Sequence, residues 1–569
     1  MTLGNSVARL AALTLAATAA SPAWSGVYDL TVDRVTIDTG DFTRSGIGYN
    51  GASPGPVLRW KEGEEVTINV TNNLSEDTSI HWHGLILPYT QDGVPGVSYD
   101  GIKPGETFTY NFPLVQAGTY WFHSHSGFQE PDGAYGAIVI EPKDREPFRY
   151  DRDYVVQLTD AHPHSGARIM RNLKTMPDYY NRQQRTLGDL IDDAQENGLA
   201  AALEDRRMWG EMRMMPTDVE DVQGFTPLIN GKSPEQNWTA LFTPGERVRL
   251  RFINSSAMAY FDIRIPGLKM SVVQADGNNV QPVAVDELRI AVAETYDVIV
   301  FPREDRAYTI FAESAGRTAY ARGTLAPREG MEAEVPALRE PPLLTMADMS
   351  LDPAMAGMHD MPMGEMAMAE GTVGADDEPL PPGAHRMPDG SIMGGPSEDP
   401  FYAAGSGLKP AAAEPNGKFL SYADLRAQKP LYADREPDRE IEVRLNGNME
   451  RYIWTINGVK HSESDPIVLN YGERVRFKFV NETMMTHPMH LHGMWSILDT
   501  GKGEWDPVKH VISVAPGTVV YAETEVDATG DWIMHCHLSY HMDAGMMRNV
   551  VVKGGPAEAR AALDPAVRH

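Results

Sequence analysis

Three stretches of strict alternation stand at matched places along the chain: Val66-Thr67-Ile68-Asn69-Val70, Val248-Arg249-Leu250-Arg251-Phe252 and Val475-Arg476-Phe477-Lys478-Phe479. Apolar residues at every second position suit a strand with one face in a core and the other in water. Each stretch follows a Gly-Glu pair (Gly63-Glu64, Gly245-Glu246, Gly472-Glu473) and ends on an Asn (Asn72, Asn254, Asn481). Upstream of each lies Asn50-Gly51, Asn230-Gly231 or Asn457-Gly458, the dipeptide that tolerates positive φ in a tight turn. A pattern met three times predicts three copies of one antiparallel Greek-key β-sandwich, over residues 26–148, 149–330 and 436–555.

Two segments break the pattern. Residues 186–204 place Leu187, Leu190, Ile191 and Ala194 on one helical face, with Thr186 as N-cap and Asp189 three positions later. That spacing predicts a helical insertion in the second copy. Residues 331–435 are rich in Pro, Ala, Gly and Met without sustained periodicity, which predicts a long linker or lid before the third copy. Residues 556–569 read as a tail.

The amino terminus changes the picture of where the chain works. Arg9, the short apolar run of residues 10–20 and the small residues around Ala23-Trp24-Ser25 have the layout of a secretory signal over residues 1–25. The run is shorter than the roughly 20 residues a membrane span needs, and no later segment qualifies, so an exported protein without a span is expected. With 569 residues the chain exceeds one core. Its net charge of −29 argues against nucleic acid as a partner. A monomer is favoured.

One cysteine among 569 residues leaves no internal disulfide. Cys536 is then a buried thiol or a metal ligand, and its neighbours decide for the ligand. Ten of 17 histidines fall into four clusters: His81-Trp82-His83, His123-Ser124-His125, His487-Pro488-Met489-His490-Leu491-His492, and His535-Cys536-His537 with His541, followed by Met546. Any single His-x-His is weak evidence, since polar surface strands carry such pairs. Here Asn72 to His81 and Asn481 to His490 both span nine residues, while the second copy has Ile263 and Ile265 at those places. The clusters are therefore expected to meet where the first and third copies touch, with the second as spacer. Alternation along a strand turns His535 and His537 to one side and Cys536 to the other. His487, Cys536 and His541 with Met546 as axial ligand (Met547 competing) form the donor set of a blue-copper electron-transfer site.

These four motifs resemble the copper signatures of three-domain multicopper oxidases, and within them the bacterial copper resistance protein A group. The resemblance implies cupredoxin-like domains and four copper ions. It places the type 2 ion on His81 and His490, one type 3 ion on His83, His123 and His537, and the other on His125, His492 and His535. It further implies that electrons taken singly at the type 1 ion pass through Cys536 to a cluster that reduces O2 to two waters. Asp92, in Gln91-Asp92-Gly93, resembles the family carboxylate that assists proton delivery; it equally suits capping of its own turn. Met542 stands where some cuprous oxidases carry a Glu, and only Arg9 is present where the group often has a twin arginine.

Methionine points to the reductant. Ten of 29 lie between Met346 and Met393, densest at Met355, Met358, Met361, Met363, Met366 and Met368. Thioether sulfur is soft and prefers Cu(I), and the segment lacks the large apolar residues that Met as core filler would accompany. Met485, two residues before His487, is a further candidate sulfur for Cu(I). Met208, Met212, Met214 and Met215 form a second cluster without an assigned role. The expectation is a periplasmic oxidase of Cu(I), with O2 as the other substrate. A laccase-like oxidase of phenols and a copper-sequestering protein are the alternatives.

Overall fold

The Asn-Gly pairs adopt the backbone they are suited to. Asn50, Asn230 and Asn457 have φ of 52°, 51° and 52°, and the glycines after them 75°, 76° and 72°. Each Asn Oδ1 accepts a backbone N–H from an earlier strand, from Thr31 at 2.7 Å, Gln157 at 2.8 Å and Arg444 at 2.7 Å. The computed structural model describes residues 25–349, 385–386, 392–393, 399–403 and 405–556.

The asparagines that end the alternating strands are buried and make one bonding pattern three times. Asn72 Nδ2 donates to Glu76 O and Ile102 O, both at 2.8 Å. Asn254 Nδ2 donates to Ala259 O and Ile290 O at 2.9 and 3.2 Å, and Asn481 Nδ2 to Met485 O and Val514 O at 2.7 and 2.9 Å. Each Oδ1 also accepts the N–H two residues on, from Leu74, Ser256 and Thr483. A buried amide with all its groups paired fixes the loop that follows. That loop leads into His81–His83 in the first copy, Phe261–Arg264 in the second and His487–Leu491 in the third.

Each copy is a pair of sheets. In the first, the strands Thr43–Tyr49, Ser25–Asp38, Glu65–Asn72 and Thr107–Pro113 form one sheet. Leu58–Lys61, Tyr135–Glu141, Gly118–His123 and His81–His83 form the other. The second and third copies each have a six-stranded and a five-stranded sheet. Parallel neighbours, such as Ser25–Asp38 beside Glu65–Asn72, arise from crossover connections of a cupredoxin-like sandwich. Register carries the repeat to the site: His81 pairs with His123, Ile263 with Ala312, and His490 with His535.

The helical insertion is a hairpin. Thr186 and Asp189 form the expected capping box at the start of Leu187–Asn197. The chain breaks at Gly198, with φ 87°, before Leu199–Glu211. The apolar face read from the sequence is not buried: Leu187 is 80% exposed and Ile191 58%. Trp209 and Ala202 of the second helix do the burying. Met212 and Met214 pack against the largest core cluster, which draws residues from all three copies.

The described ends of the 331–435 stretch lie against other elements. Leu420 and Leu425 enter the second core, and Ala427 N–H donates to Trp505 O at 2.8 Å. Asp348 accepts from the N–H groups of Thr345 and Gly407 at 2.8 and 2.9 Å, tying residue 345 to residue 407. Met355, Met358, Met361, Met363, Met366 and Met368 lie outside the described residues, as do residues 1–24.

Asn254→Ala strips the clamp in the copy without histidines, leaving buried carbonyls unpaired. Urea unfolding should show a loss of about 2 kcal/mol, with copper binding unchanged.

Candidate metal centres

The strand His81–His83 is wholly buried. Trp82 faces the first core against Trp60, Phe112 and Phe122, so alternation sends His81 and His83 out the other side. The third copy meets them there. His81 stacks on His492 and His83 on His490, each with ring centroids 3.9 Å apart. His123 lies 5.1 Å from His537, and His125 5.3 Å from His535. Four imidazoles from each copy thus share one pocket. Trp495 Nε1 donates to Gly84 O at 3.0 Å and Ser539 Oγ to Glu130 Oε1 at 3.2 Å, holding the two copies together beside it.

Hydrogen bonds assign the ring protons of five of these imidazoles. His81 Nδ1 donates to Asp92 O at 2.8 Å, His490 Nδ1 to His510 O at 2.6 Å, and His123 Nδ1 to Glu130 Oε2 at 2.8 Å. Their Nε2 atoms, and those of His83, His125 and His537, are buried without a protein partner. His492 Nδ1 donates to Asp92 Oδ2 at 2.8 Å and His535 Nδ1 to Cys536 O at 3.0 Å. Two Nε2 lone pairs then face each other at 3.1 Å, a repulsive contact unless a cation lies near. Burial, then neighbouring imidazoles, holds His83, His125, His490, His492 and His537 well below the ordinary imidazole value; burial brings His535 down to about 3. Neutral, tautomer-fixed, orphaned imidazoles are what metal ligation needs. The donor set fits copper.

The sulfur site lies on the other side of the same strand. Cys536 Sγ is 3.4 Å from His487 Nδ1 and 3.9 Å from His541 Nδ1, and those two nitrogens are 3.2 Å apart. Their Nε2 atoms are engaged, His487 with Thr483 Oγ1 at 2.7 Å and His541 with Asp221 Oδ2 at 2.8 Å. Both Nδ1 lone pairs therefore point at the sulfur. Trp454 stacks on His541 at 3.9 Å and meets His487 edge-on at 5.1 Å. Burial pushes the Cys536 thiol up, so a metal that took the thiolate would displace its proton. Met546 is fully buried, and its carbonyl accepts the Cys536 N–H at 3.1 Å; Met547 is partly exposed.

Every motif histidine and Cys536 thus falls in one of two adjoining clusters. Asp92 directs its carboxylate to His492, and to His81 at 3.3 Å. Sequence reading missed Asp221, Glu130, Trp454, Thr483 and His510. Asp221 belongs to the second copy's region, which therefore supplies a group to the sulfur site as well as spacing the other two. Asp221 and His541 are 320 positions apart, and no local spacing marks such a pair. Glu130, seven residues after His123 and near His537 Nδ1 at 3.9 Å, had a weak signal in its nearness to the His-Ser-His motif.

A sulfur–imidazole site joined through one strand to an eight-imidazole pocket defines a copper redox enzyme. The chain matches the multicopper oxidase family over residues 30–145, 176–329 and 434–556. It is similar to copper resistance protein A of Escherichia coli, 48% identical over 92% of each chain, and to its homolog in Pseudomonas syringae pv. tomato, 48% identical over 94% and 95%. Among solved structures, the laccase of Botrytis aclada shares the fold, with a TM-score of 0.65, 21% identity, and 95% and 90% of the chains covered. The chain belongs to the multicopper oxidase family. It is an oxidoreductase, and its cofactors are that family's four coppers, one type 1, one type 2 and a type 3 pair.

Metal-free protein should lose stability as pH falls below 6.5. Burial holds His83, His125, His490, His492, His535 and His537 neutral in the fold well below the value near 6.5 at which they protonate when unfolded. The unfolded chain then binds more protons, and each such group costs about 1.4 kcal/mol per pH unit until its folded value is passed. Urea midpoints at pH 8, 6 and 5 with and without copper test this: the metal-free midpoint should drop, and a flat profile would contradict it.

Proposed function

We propose that the enzyme oxidises Cu(I) to Cu(II) in the periplasm, taking four electrons one at a time and spending one O2 and four protons to make two waters. The observation that carries this is the cleft beside His541, where Asp221, Glu220, Met258, Met484, Met485 and Leu538 converge. Thioether sulfur is soft and suits Cu(I), and the Asp221 and Glu220 carboxylates add attraction for a cation alongside the Arg289 guanidinium, which also lines the cleft. Pro342, Tyr402 and Leu408, described residues on either side of the Met-rich stretch in sequence, line the same cleft as Met484 and Met485. The signal-like start of the chain supports export, and its similarity to copper resistance protein A supports a part in copper homeostasis.

When bound, the coppers accept electrons at the type 1 position and deliver them to O2 at the cluster. In this reading His487, Cys536, His541 and Met546 would hold type 1 copper. His81 and His490 would hold type 2; His83, His123 and His537 would hold one type 3 ion, and His125, His492 and His535 the other. Cys536 is bonded along the chain to both His535 and His537, which gives a short covalent path from the sulfur to two cluster ligands. Asp221 holds the His541 Nε2–H and puts negative charge at the cleft, drawing in a cation and keeping the ring turned to the sulfur. Asp92 fixes the His492 ring through Oδ2 and lies with Oδ1 3.3 Å from His81 Nδ1; in this reading Oδ1 would carry protons to the oxygen chemistry. Glu130 fixes His123 through Nδ1.

Met485→Leu should lower Cu(I)-dependent oxygen uptake on the order of tenfold and leave uptake with a phenol within about twofold. Serine at Met355, Met358, Met361, Met363, Met366 and Met368 together should act in the same direction. Equal loss with both reductants would favour the laccase-like reading. In Cys536→Ser the blue colour and all oxygen uptake should vanish; unchanged copper tolerance of the host would favour sequestration.

A further inference from the structure

Against the eight imidazoles of the pocket lies a further one, His510, to which the eight-ligand scheme gives no task. We propose that His510 is a further copper-holding group of the cluster, acting beside His490 and His83; this rests on the reading of the eight motif histidines as ligands.

His510 lies outside every motif, between Val508–Lys509 and Val511–Val514. Its ring is buried, and neither nitrogen has a hydrogen-bond partner. Asp276 Oδ2 lies 3.9 Å from Nδ1, beyond hydrogen-bond reach. Leaving a buried polar side chain unpaired is destabilising, which an apolar residue there would avoid. The ring stands 4.9 Å from His83, nearly perpendicular at 76°, and 6.0 Å from His490. One nitrogen from each of His83, His490 and His510 lies within 4.8 Å of the other two.

The surroundings hold the ring in place. The His510 carbonyl takes the His490 Nδ1 proton, and its N–H donates to Asp276 Oδ2 at 3.1 Å. Asp276 is in turn paired with buried Lys509 at 2.9 Å. Gly84, at φ 80°, leaves the space: a Cβ there would sit 2.7 Å from His510 Nε2. The residue after His81-Trp82-His83 is thus required to be small by the ninth ring as well as by its own backbone.

The test compares copper-loaded wild type with His510→Gln and His510→Ala by electron paramagnetic resonance, and by copper count after timed exposure to a chelator. Both variants should keep the blue absorption, showing an intact fold and type 1 site. The type 2 hyperfine pattern should change, and copper loss from the cluster should speed up about tenfold. A wild-type type 2 spectrum and wild-type chelator resistance in both variants would overturn the inference. A wild-type protein with no type 2 signal would instead overturn the ligand reading on which it rests.

Discussion

Neutral imidazoles whose free nitrogens converge in a buried pocket repel one another and forgo water, so such a pocket persists only if something else holds it shut and a cation belongs inside. The contact of His492 Nε2 with His535 Nε2 at 3.1 Å is the sharpest case, because Asp92 and the Cys536 carbonyl have already taken both Nδ1 protons. The first and third copies must stay pressed together against that repulsion. Metal binding reverses its sign, turning the least comfortable part of the fold into the most strongly bound.

The second copy is what keeps the two halves in place. On the first copy it presents Arg251 to Thr119 and Asp297 to the same hydroxyl, both at 2.9 Å. On the third it encloses Lys509 between Asp276 and Glu294 at 2.9 and 3.0 Å. Burial opposes the Lys509 charge, and the two carboxylates more than offset this. A buried ion pair of this kind adds little net stability but penalises any other alignment of the units. Its place next to His510 ties that alignment to the geometry of the pocket.

The sandwiches and the four histidine clusters were legible because both depend on local spacing. Alternation, the Asn-Gly turns and the nine-residue step from Asn to His survive in one dimension. The groups that orient the ligands do not. Asp221 and Trp454 reach His541 from distant segments, and neither residue type is unusual in its own surroundings. The insertion is helical as its spacing predicts, but Asn197-Gly198 ends the first helix at a C-cap that the apolar spacing over residues 186–204 does not mark. Its apolar face was also exposed, since amphipathic spacing tells which residues share a side and not what covers it. The Met-rich segment was legible only as composition.

Anomalous diffraction at the copper edge from crystals of the loaded protein tests the central claim most directly. The expected result is three copper peaks in the pocket walled by His81, His83, His123, His125, His490, His492, His535 and His537, and a fourth beside Cys536. Copper confined to the methionine-rich stretch, with that pocket unfilled, would contradict it.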